Sequence, residues 1–407
     1  MIRRILINNQ ILKRDCNSFS KIKNFDSKNE SILTTTTTTN EKTDIIKKIN
    51  LIGIQKDELE DKVLKLGYPK YLSEQIWAFM YNKGIVDINS FERVSKEKRE
   101  EIKSKYEVNI GEITKHQLSV DGTRKLLISF DGAEVESVFI PEGKRGTLCV
   151  SSQVGCTFAC TFCHTGTQKF IRNLTASEIV SQVIATRHVL NDFTDSSIKR
   201  TLTNIVFMGQ GEPFYNYRNV SKAIKIITDP NGLAIGKSKI TVSTSGVVPL
   251  IDRLGSDFPG IGLAISLHSA NDKTRSEIVP ANRQWPISEL VEACIKFSKN
   301  CKERITIEYV MLKGVNDSEQ DAYDLVKLSK SFPSFVNLIP FNPWPGSQYK
   351  SSSKETISQF SKILDDKGIK VTIRQPRGRD ILAACGQLNT ESIKEINKPI
   401  QPLENLD

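Results

Sequence analysis

The sequence predicts an α/β fold: a partial (β/α)6 barrel with a small N-terminal helical domain and a connecting β-hairpin. Three observations predict this fold. Short apolar runs alternate with helical patterns through the second half of the chain, and such alternation requires a parallel sheet. Helical periodicity fills residues 44–110. Two β-rich runs flank the turn signal Asp131-Gly132, which is typical of a hairpin.

Composition and pattern divide the 407-residue chain into five parts. They are a leader (1–43), a helical accessory domain (44–110), the hairpin connector (111–146), the barrel (147–390) and a C-terminal tail (391–407). The leader opens with 23 basic, apolar, acid-poor residues, which are typical of a mitochondrial transit peptide. A disordered basic leader on a cytoplasmic protein is the alternative. The six threonines at 34–39 predict a linker.

The overall composition favours a polyanionic partner and a reducing compartment. Lys and Arg outnumber Asp and Glu by 57 to 47, which gives a net charge of +10. The eight cysteines show no disulfide-like spacing, and we see no secretory signal. No apolar run approaches the ~18 residues that span a bilayer, so a membrane partner is not expected.

The accessory domain shows apolar residues at three- and four-residue steps, as in amphipathic helices. They are Leu59, Val63, Leu66, Leu72, Ile76, Trp77 and Met80. Five cations follow as a basic segment: Lys96, Lys98, Arg99, Lys103 and Lys105. A solvated helix face is the favoured interpretation of this segment, ahead of a nucleic-acid contact.

The hairpin and barrel strands follow in order. The hairpin strands are expected at 125–130 and 133–140. The barrel strands are expected at 147–151, 203–208, 239–243, 262–266, 304–311 and 335–339. Thr175 and Glu178 form a capping box that begins a helix between the first two of them. Loops after the strands of such a barrel carry its chemistry, so we sought candidate residues there.

Three cysteines, Cys156, Cys160 and Cys163, lie in one loop at C-x3-C-x2-C spacing. Thiolates this close suit a soft metal centre, and three of them leave one iron of a [4Fe–4S] cluster open for another molecule. The alternative is a structural zinc whose fourth ligand is His164. Spacing favours the cluster, because zinc cysteines usually come as two separated C-x2-C pairs.

The cysteine loop resembles the signature of the radical S-adenosylmethionine (SAM) superfamily. That resemblance implies a radical SAM barrel and one [4Fe–4S] cluster, held by the three cysteines, that donates an electron to SAM. It directs attention to polar residues at the strand ends as SAM contacts: Gly211, Glu212, Ser243, Ser266, Leu267, His268 and Asn342. A carboxylate such as Glu212 can accept from the ammonium of SAM. Ordinary strand-end capping and turns remain open as explanations of the others.

Two further cysteines stand apart from the loop. Cys149 lies seven residues before it, and Cys385 follows Arg374, Arg377 and Arg379, which suit phosphates. Nearby guanidinium groups would favour the nucleophilic thiolate of Cys385, although a lone cysteine is usually inert. We assign the remaining three, Cys16, Cys294 and Cys301, to that inert class.

The order of hairpin, Cys149, cluster loop, strand-end motifs and Ala383-Ala384-Cys385-Gly386 resembles the RlmN/Cfr family of RNA methyltransferases, from about residue 45 to 390. The resemblance implies methylation of adenine C2 in large-subunit rRNA or tRNA, with two SAM molecules per turnover. Cys385 would carry the methyl group, Glu136 would take the C2 proton, and Cys149 would release the product and leave a disulfide.

The resemblance also implies partners: RNA held by the basic segment and the three arginines, an external electron donor, and a thiol reductant. A monomer is expected. Three alternatives remain open. They are a C8-adenine methyltransferase of the same family, a radical SAM enzyme with a non-RNA substrate, and a non-catalytic zinc or iron–sulfur protein that binds RNA.

Overall fold

One mixed sheet of ten strands forms the centre of the structure, a computed structural model that describes residues 48–193, 200–301 and 304–390. The predicted leader with its threonine tract, Cys16 and the C-terminal tail lie outside the described residues. In the described part of the chain, no helix has the length and apolar character needed to cross a membrane.

The strands are β1 (Ile49–Asn50), β2 (Tyr106–Glu107), β3 (Glu112–Leu118), β4 (Arg124–Phe130), β5 (Ala133–Glu142), β6 (Arg145–Cys149), β7 (Gln153–Val154), β8 (Arg172–Asn173), β9 (Asn204–Phe207), β10 (Ile240–Thr244), β11 (Gly262–Ser266), β12 (Ile305–Met311), β13 (Ser334–Pro340) and β14 (Val371–Ile373). The α-helices are α1 (Lys56–Lys65), α2 (Lys70–Trp77), α3 (Lys96–Lys105), α4 (Ala176–Val189), α5 (Tyr217–Thr228), α6 (Ile251–Asp257), α7 (Asp272–Ile278), α8 (Ile287–Cys301), α9 (Glu319–Ser329) and α10 (Lys354–Asp366).

The central sheet has the order β14-β13-β12-β11-β10-β9-β6-β5-β4-β3. Strands β6 and β9 to β14 run parallel, with helices in the connections, and β3 to β6 run antiparallel. The predicted α/β fold class, a partial barrel, is confirmed. The parallel part has one strand more than the six predicted, because β14 is three residues long and too short to show periodicity.

The predicted hairpin is β4 and β5, and its turn has the predicted chemistry. Asp131 and Gly132 both have positive φ, 42° and 81°, as a type I′ turn requires. The two strands pair in continuous register from Arg124↔Phe139 to Phe130↔Ala133. Because β5 also pairs with β6, the hairpin continues the sheet of the barrel instead of standing apart from it.

Helix α4 begins at the predicted capping box. The Thr175 hydroxyl accepts from the Glu178 N–H at 3.2 Å, and the Glu178 carboxylate accepts from the Thr175 N–H at 2.7 Å. The helix then buries Ile179, Val180, Val183 and Ile184, the apolar residues that the pattern predicted. Each such burial stabilises the fold by roughly 1.5–3 kcal/mol. The helix therefore packs into the main hydrophobic core of the structure.

The accessory domain contains α1 to α3 and the short β1–β2 pair. All of its predicted core residues are buried except Leu66, which is partly buried. Its basic segment is α3, whose side chains are largely engaged within the domain. Arg99 donates to the Asn89 carbonyl at 2.7 Å, and Lys105 pairs with Glu101 at 3.4 Å. These contacts agree with a solvated helix face.

Candidate active site

Two neighbouring cavities open where the parallel strands end. The thiol cavity, about 690 Å³, is lined by Cys149, Cys385, Val138, Met208, Asn342 and Arg374 among others. The loop cavity, about 980 Å³, is lined by Cys156, Cys160, Cys163, Gly211, Glu212, Ser243, Ser266 and His268 among others. Cys163, Met208, Arg374 and Cys385 line both.

The three loop cysteines face one space. Burial raises the pKa of Cys156 to about 12 and raises the pKa of Cys160 and of Cys163 as well. Interaction among the three sulfurs raises the pKa of Cys160 further. The cavity thus holds protonated thiols in the metal-free chain, and a bound metal centre would replace those protons.

The donor set fits an iron–sulfur cluster. A four-iron cluster takes its thiolates at separate irons, so its ligands surround a group larger than one ion. Within residues 48–193, 200–301 and 304–390, no three His, Cys, Asp or Glu side chains are placed to hold a single metal ion. His164, the fourth ligand of the zinc alternative, lies flat against the Trp344 ring with 4.6 Å between centroids.

Cys149 and Cys385 meet in the thiol cavity, although 236 positions separate them in sequence. Both are free thiols, so the implied disulfide is not formed in this structure. Burial raises the pKa of Cys149 to about 12, and the Cys385 sulfur contributes to that rise. Cys149 packs against Ala383 and Leu388, on either side of Cys385.

Arg374 lies between these sulfurs. The Cys385 thiol foremost, with Glu308 and Cys149, raises the pKa of the guanidinium, and Arg374 in turn opposes the rise at Cys149. The sequence suggested that Arg374 holds an RNA backbone. Its half-buried side chain lines both cavities, and its backbone N–H extends β14 by donating to the Leu338 carbonyl at 2.8 Å. The contact with RNA stays a prediction.

The segment that carries Cys385 is fastened to the turn between β3 and β4. The Asp380 carboxylate accepts from the Ser119 hydroxyl at 2.6 Å and from the Val120 N–H at 3.1 Å. The Asp121 carboxylate accepts from the Gly378 N–H at 2.9 Å, and Lys125 donates to the Leu382 carbonyl at 3.3 Å. These contacts set the course of residues 378–382 ahead of the cysteine.

Gly211 and Glu212 follow β9. Gly211 has φ +93°, and a Cβ there would lie 2.4 Å from the Gln153 Cβ, so only glycine fits. The Glu212 carboxylate accepts from the N–H groups of Ser245 at 2.8 Å and Phe214 at 3.1 Å. Burial still outweighs these bonds and raises the pKa of Glu212 to about 7.

This raised pKa predicts pH-dependent stability. The folded state keeps the Glu212 proton to about pH 7, whereas the carboxyl of the unfolded chain loses it near 4.5. The folded state therefore binds more protons across this window, and the free energy of unfolding falls as pH rises through it. We expect a fall of roughly 3 kcal/mol in the metal-free protein.

Urea unfolding at pH 5 and pH 8 measures this fall, with Glu212→Gln as the control. The glutamine amide nitrogen would face one of the two backbone N–H groups that Glu212 accepts from, which lowers the free energy of unfolding by the same amount at every pH. Because glutamine does not titrate, the part of the pH dependence that comes from Glu212 should vanish. Equal slopes in the two proteins would contradict the predicted pKa.

The other strand-end residues are placed differently from one another. The Ser243 and Ser266 hydroxyls lie 3.2 Å apart on the loop-cavity wall. Leu267 is in the core, its carbonyl accepts from Arg275 at 3.0 Å, and its N–H donates to the Glu308 carbonyl at 3.1 Å. The Val310 N–H donates to His268 Nδ1 at 3.1 Å, and burial lowers the pKa of His268 to about 3.

Asn342, which was predicted to contact the adenine or ribose of SAM, is not among the residues that line the loop cavity, and that contact stays a prediction. It lines the thiol cavity, and its amide donates to the Cys385 carbonyl at 3.2 Å. Arg379 donates to its Oδ1 at 3.0 Å. The proline-stiffened loop 340–345 turns the amide toward the Cys385 segment, which the sequence alone does not reveal.

Glu136 is buried on β5 and is not among the residues lining either cavity. Lys125 Nζ lies 2.9 Å from one carboxylate oxygen. The other oxygen is buried and has no hydrogen-bond partner in the described part of the chain. By strand alternation Glu136 shares a face with Val138 and Ile140, which line the thiol cavity.

Sequence reasoning missed three residues of this site. Glu308 on β12 is buried, lines the loop cavity and accepts from Asn337 at 2.9 Å, and burial raises its pKa. Lys125 neutralises Glu136, and Gln153 connects the cysteine loop to Glu212. In the sequence, Glu308 and Lys125 could have been found because each is an isolated charged residue in an apolar strand. No comparable feature of the sequence marks Gln153.

Known proteins match the chain along most of its length. Residues 150–326 match the model of the radical SAM superfamily, and residues 49–108 match that of the ribosomal RNA large subunit methyltransferase N-terminal domain. The dual-specificity RNA methyltransferase RlmN of Parvibaculum lavamentivorans is 49% identical over 360 residues, covering 85% of this chain and 90% of that protein. The RlmN of Xanthobacter autotrophicus is 50% identical over 368 residues, covering 85% and 88%.

A solved structure agrees with this similarity. The crystal structure of a radical SAM methyltransferase from Sphaerobacter thermophilus superposes with a TM-score of 0.79 at 40% identity, covering 83% of this chain and 98% of that one. The superposition covers nearly all of that chain and most of this one, so the two proteins share their main fold. The chain therefore belongs to the RlmN family of dual-specificity RNA methyltransferases within the radical SAM superfamily.

Proposed function

We propose that this protein methylates C2 of adenine in large-subunit rRNA, tRNA or both, through a methyl group carried on Cys385. The observation that carries the proposal is the meeting of Cys149 and Cys385 in a cavity that shares a wall with the three loop cysteines. A radical SAM enzyme without a cysteine carrier needs neither of these two thiols.

Cys156, Cys160 and Cys163 would hold one [4Fe–4S] cluster, and Glu212, Ser243 and Ser266 would face SAM in the same cavity. When bound, these groups supply one-electron cleavage of SAM to a 5′-deoxyadenosyl radical. The ionised Glu212 carboxylate suits the SAM ammonium. The low pKa of His268 keeps its ring neutral, so it contributes a hydrogen bond and no charge.

The chain's own residues divide the remaining work. Cys385 lines both cavities, so its sulfur can take a methyl group on the loop side and present it on the thiol side. The Cys385 sulfur interacts electrostatically with Arg374, which lines both cavities as well. Cys149 stays protonated at neutral pH because burial raises its pKa, so it does not compete for the first methyl group.

Product release needs a base and a second thiol. The Glu136 oxygen without a hydrogen-bond partner in the described residues would accept the C2 proton, while Lys125 holds the other oxygen. Cys149 would then attack the Cys385 sulfur. A disulfide forms as the bond from that sulfur to the transferred carbon breaks, the carbon takes up a proton and becomes the methyl group on C2, and an external thiol reductant reopens the disulfide. An external electron donor is required as well.

The leader's mitochondrial address stays a prediction.

The RNA would reach the thiol cavity past Arg377, which lines it. An adenine that is already unpaired in a loop enters at least cost, because splaying a stacked base costs a few kcal/mol. Cations along this path make binding weaken as salt rises.

The test is anaerobic reconstitution with iron and sulfide, followed by incubation with SAM, a reductant, and either rRNA or tRNA. We expect 2-methyladenine in at least one RNA, identified by mass spectrometry of nucleosides. Methyl on C8 would assign the protein to the other branch of the family. Formation of 5′-deoxyadenosine without methylated RNA would indicate a non-RNA substrate, and failure to bind iron would favour the zinc alternative.

A further inference from the structure

A single fully buried amide joins the two loops of the loop cavity. Gln153 lies on β7, and its side-chain oxygen accepts three hydrogen bonds. Two come from Thr157, through the N–H at 3.2 Å and the hydroxyl at 2.9 Å, and one comes from the Glu212 N–H at 3.0 Å. The amide nitrogen donates to Asn173 on β8 at 2.8 Å.

The partners of this amide belong to the two functional loops. Thr157 directly follows Cys156, and Glu212 follows Gly211 in the loop after β9. The Gly211 backbone packs against the Gln153 side chain at a distance that leaves no room for a Cβ. The Gly211 N–H also lies against the Cys156 sulfur, where it lowers the pKa of that thiol. The separation of the loops is therefore set by Gln153.

We infer that Gln153 is a positioning residue that fixes the cysteine loop relative to the loop facing the SAM amino group, an inference that rests on the proposed roles of the two loops. The hydrogen bonds lie away from water, where they are strong and where an unmade bond is costly. A site of this kind tolerates displacements of only about 0.5 Å. Gln153 acts through Thr157 and Glu212 without touching the reacting atoms.

Gln182 provides a matched control. It is also a fully buried glutamine with a bidentate contact, accepting from the Ser151 N–H at 2.8 Å and donating to the Ser151 carbonyl at 3.0 Å. Its side chain bonds to Ser151 and to the Glu178 carbonyl, and not to Thr157 or Glu212. Leucine at either position removes a buried amide of the same size, so the two variants should lose similar global stability.

The first measurement is hydrogen exchange of the metal-free protein, which needs no cofactor. In Gln153→Leu, we expect the amides of Thr157 and Glu212 to exchange roughly tenfold faster or more, because each loses its acceptor. In Gln182→Leu, both should stay within about twofold of the wild type, on the same scale. Equal rates in the two variants would overturn the inference. If Gln153→Leu does not fold, Thr157→Val should still loosen Glu212 more than Gln182→Leu does.

The second measurement is SAM affinity of the reconstituted protein, read from the change that SAM causes in the electron paramagnetic resonance of the reduced cluster. Gln153→Leu should weaken SAM roughly tenfold or more. Gln153→Glu should recover most of it, because a buried carboxyl stays protonated, accepts the same three bonds through one oxygen and donates through its hydroxyl to Asn173. Recovery by glutamate is not expected of a purely structural role. If wild type binds no SAM, the proposed function fails, while the exchange result still decides whether Gln153 joins the loops.

Discussion

Replacement of Cys385 by alanine is expected to abolish RNA methylation and also the transfer of a labelled methyl group from SAM to the protein itself. Cys385, like Cys163, lines both cavities, and it has Arg374 beside it. Removing a catalytic nucleophile typically costs at least about a thousandfold in rate. Radiolabel on the protein after incubation without RNA measures the first transfer, and labelled RNA measures the whole cycle.

Cys294→Ala is the matched control for this variant. Cys294 is also a free thiol, but it lies in the core on α8 and lines neither the thiol cavity nor the loop cavity. Alanine there should leave both transfers near the wild-type level. Labelled protein from Cys385→Ala, with the cluster intact, would show that another residue carries the methyl group.

Replacement of Cys149 by alanine is expected to stop turnover after the methyl carbon has joined the base, leaving RNA covalently attached through Cys385. The missing sulfur is the one that packs beside Ala383 and Leu388 against the Cys385 segment. Without it, Cys163 of the cluster loop is the one other thiol among the described residues that line the thiol cavity, and as a cluster ligand it would not attack Cys385, so the product thioether persists. A denaturing gel should show a protein band retarded by RNA and restored by ribonuclease.

The double variant Cys149→Ala/Cys385→Ala tests the identity of the bond. It should give no retarded band, because the attachment atom is gone. A band that persists in the double variant, or rapid turnover of Cys149→Ala with a small thiol absent, would contradict the assignment of Cys149 to product release.

Local chemistry was readable from the sequence where it depends on neighbours along the chain. The type I′ turn at Asp131-Gly132 and the capping box at Thr175 and Glu178 are both formed, because each is satisfied by residues within a few positions. The order of the strands followed from alternation alone. The spacing of Cys156, Cys160 and Cys163 likewise placed them on one cavity.

Side-chain direction in long irregular segments was not readable. Arg374 and Asn342 lie in loops whose paths are set by distant contacts, with Leu338 and with Cys385 and Arg379 respectively. No local periodicity reports such contacts, so the sequence alone did not reveal them. The role of Gln153 depends on a loop 59 positions away, and only the folded chain brings the two together.

The turn between β3 and β4 has a mechanical consequence for catalysis. Residues 378–382 contain only one short 3-10 turn, Arg379–Ile381, and their course depends on Asp121, Lys125 and Asp380 reaching across to another part of the chain. A displacement of that turn would therefore also displace residues 378–382 and the Cys385 that follows them. An RNA bound at that turn would change the position of the Cys385 sulfur without contacting it.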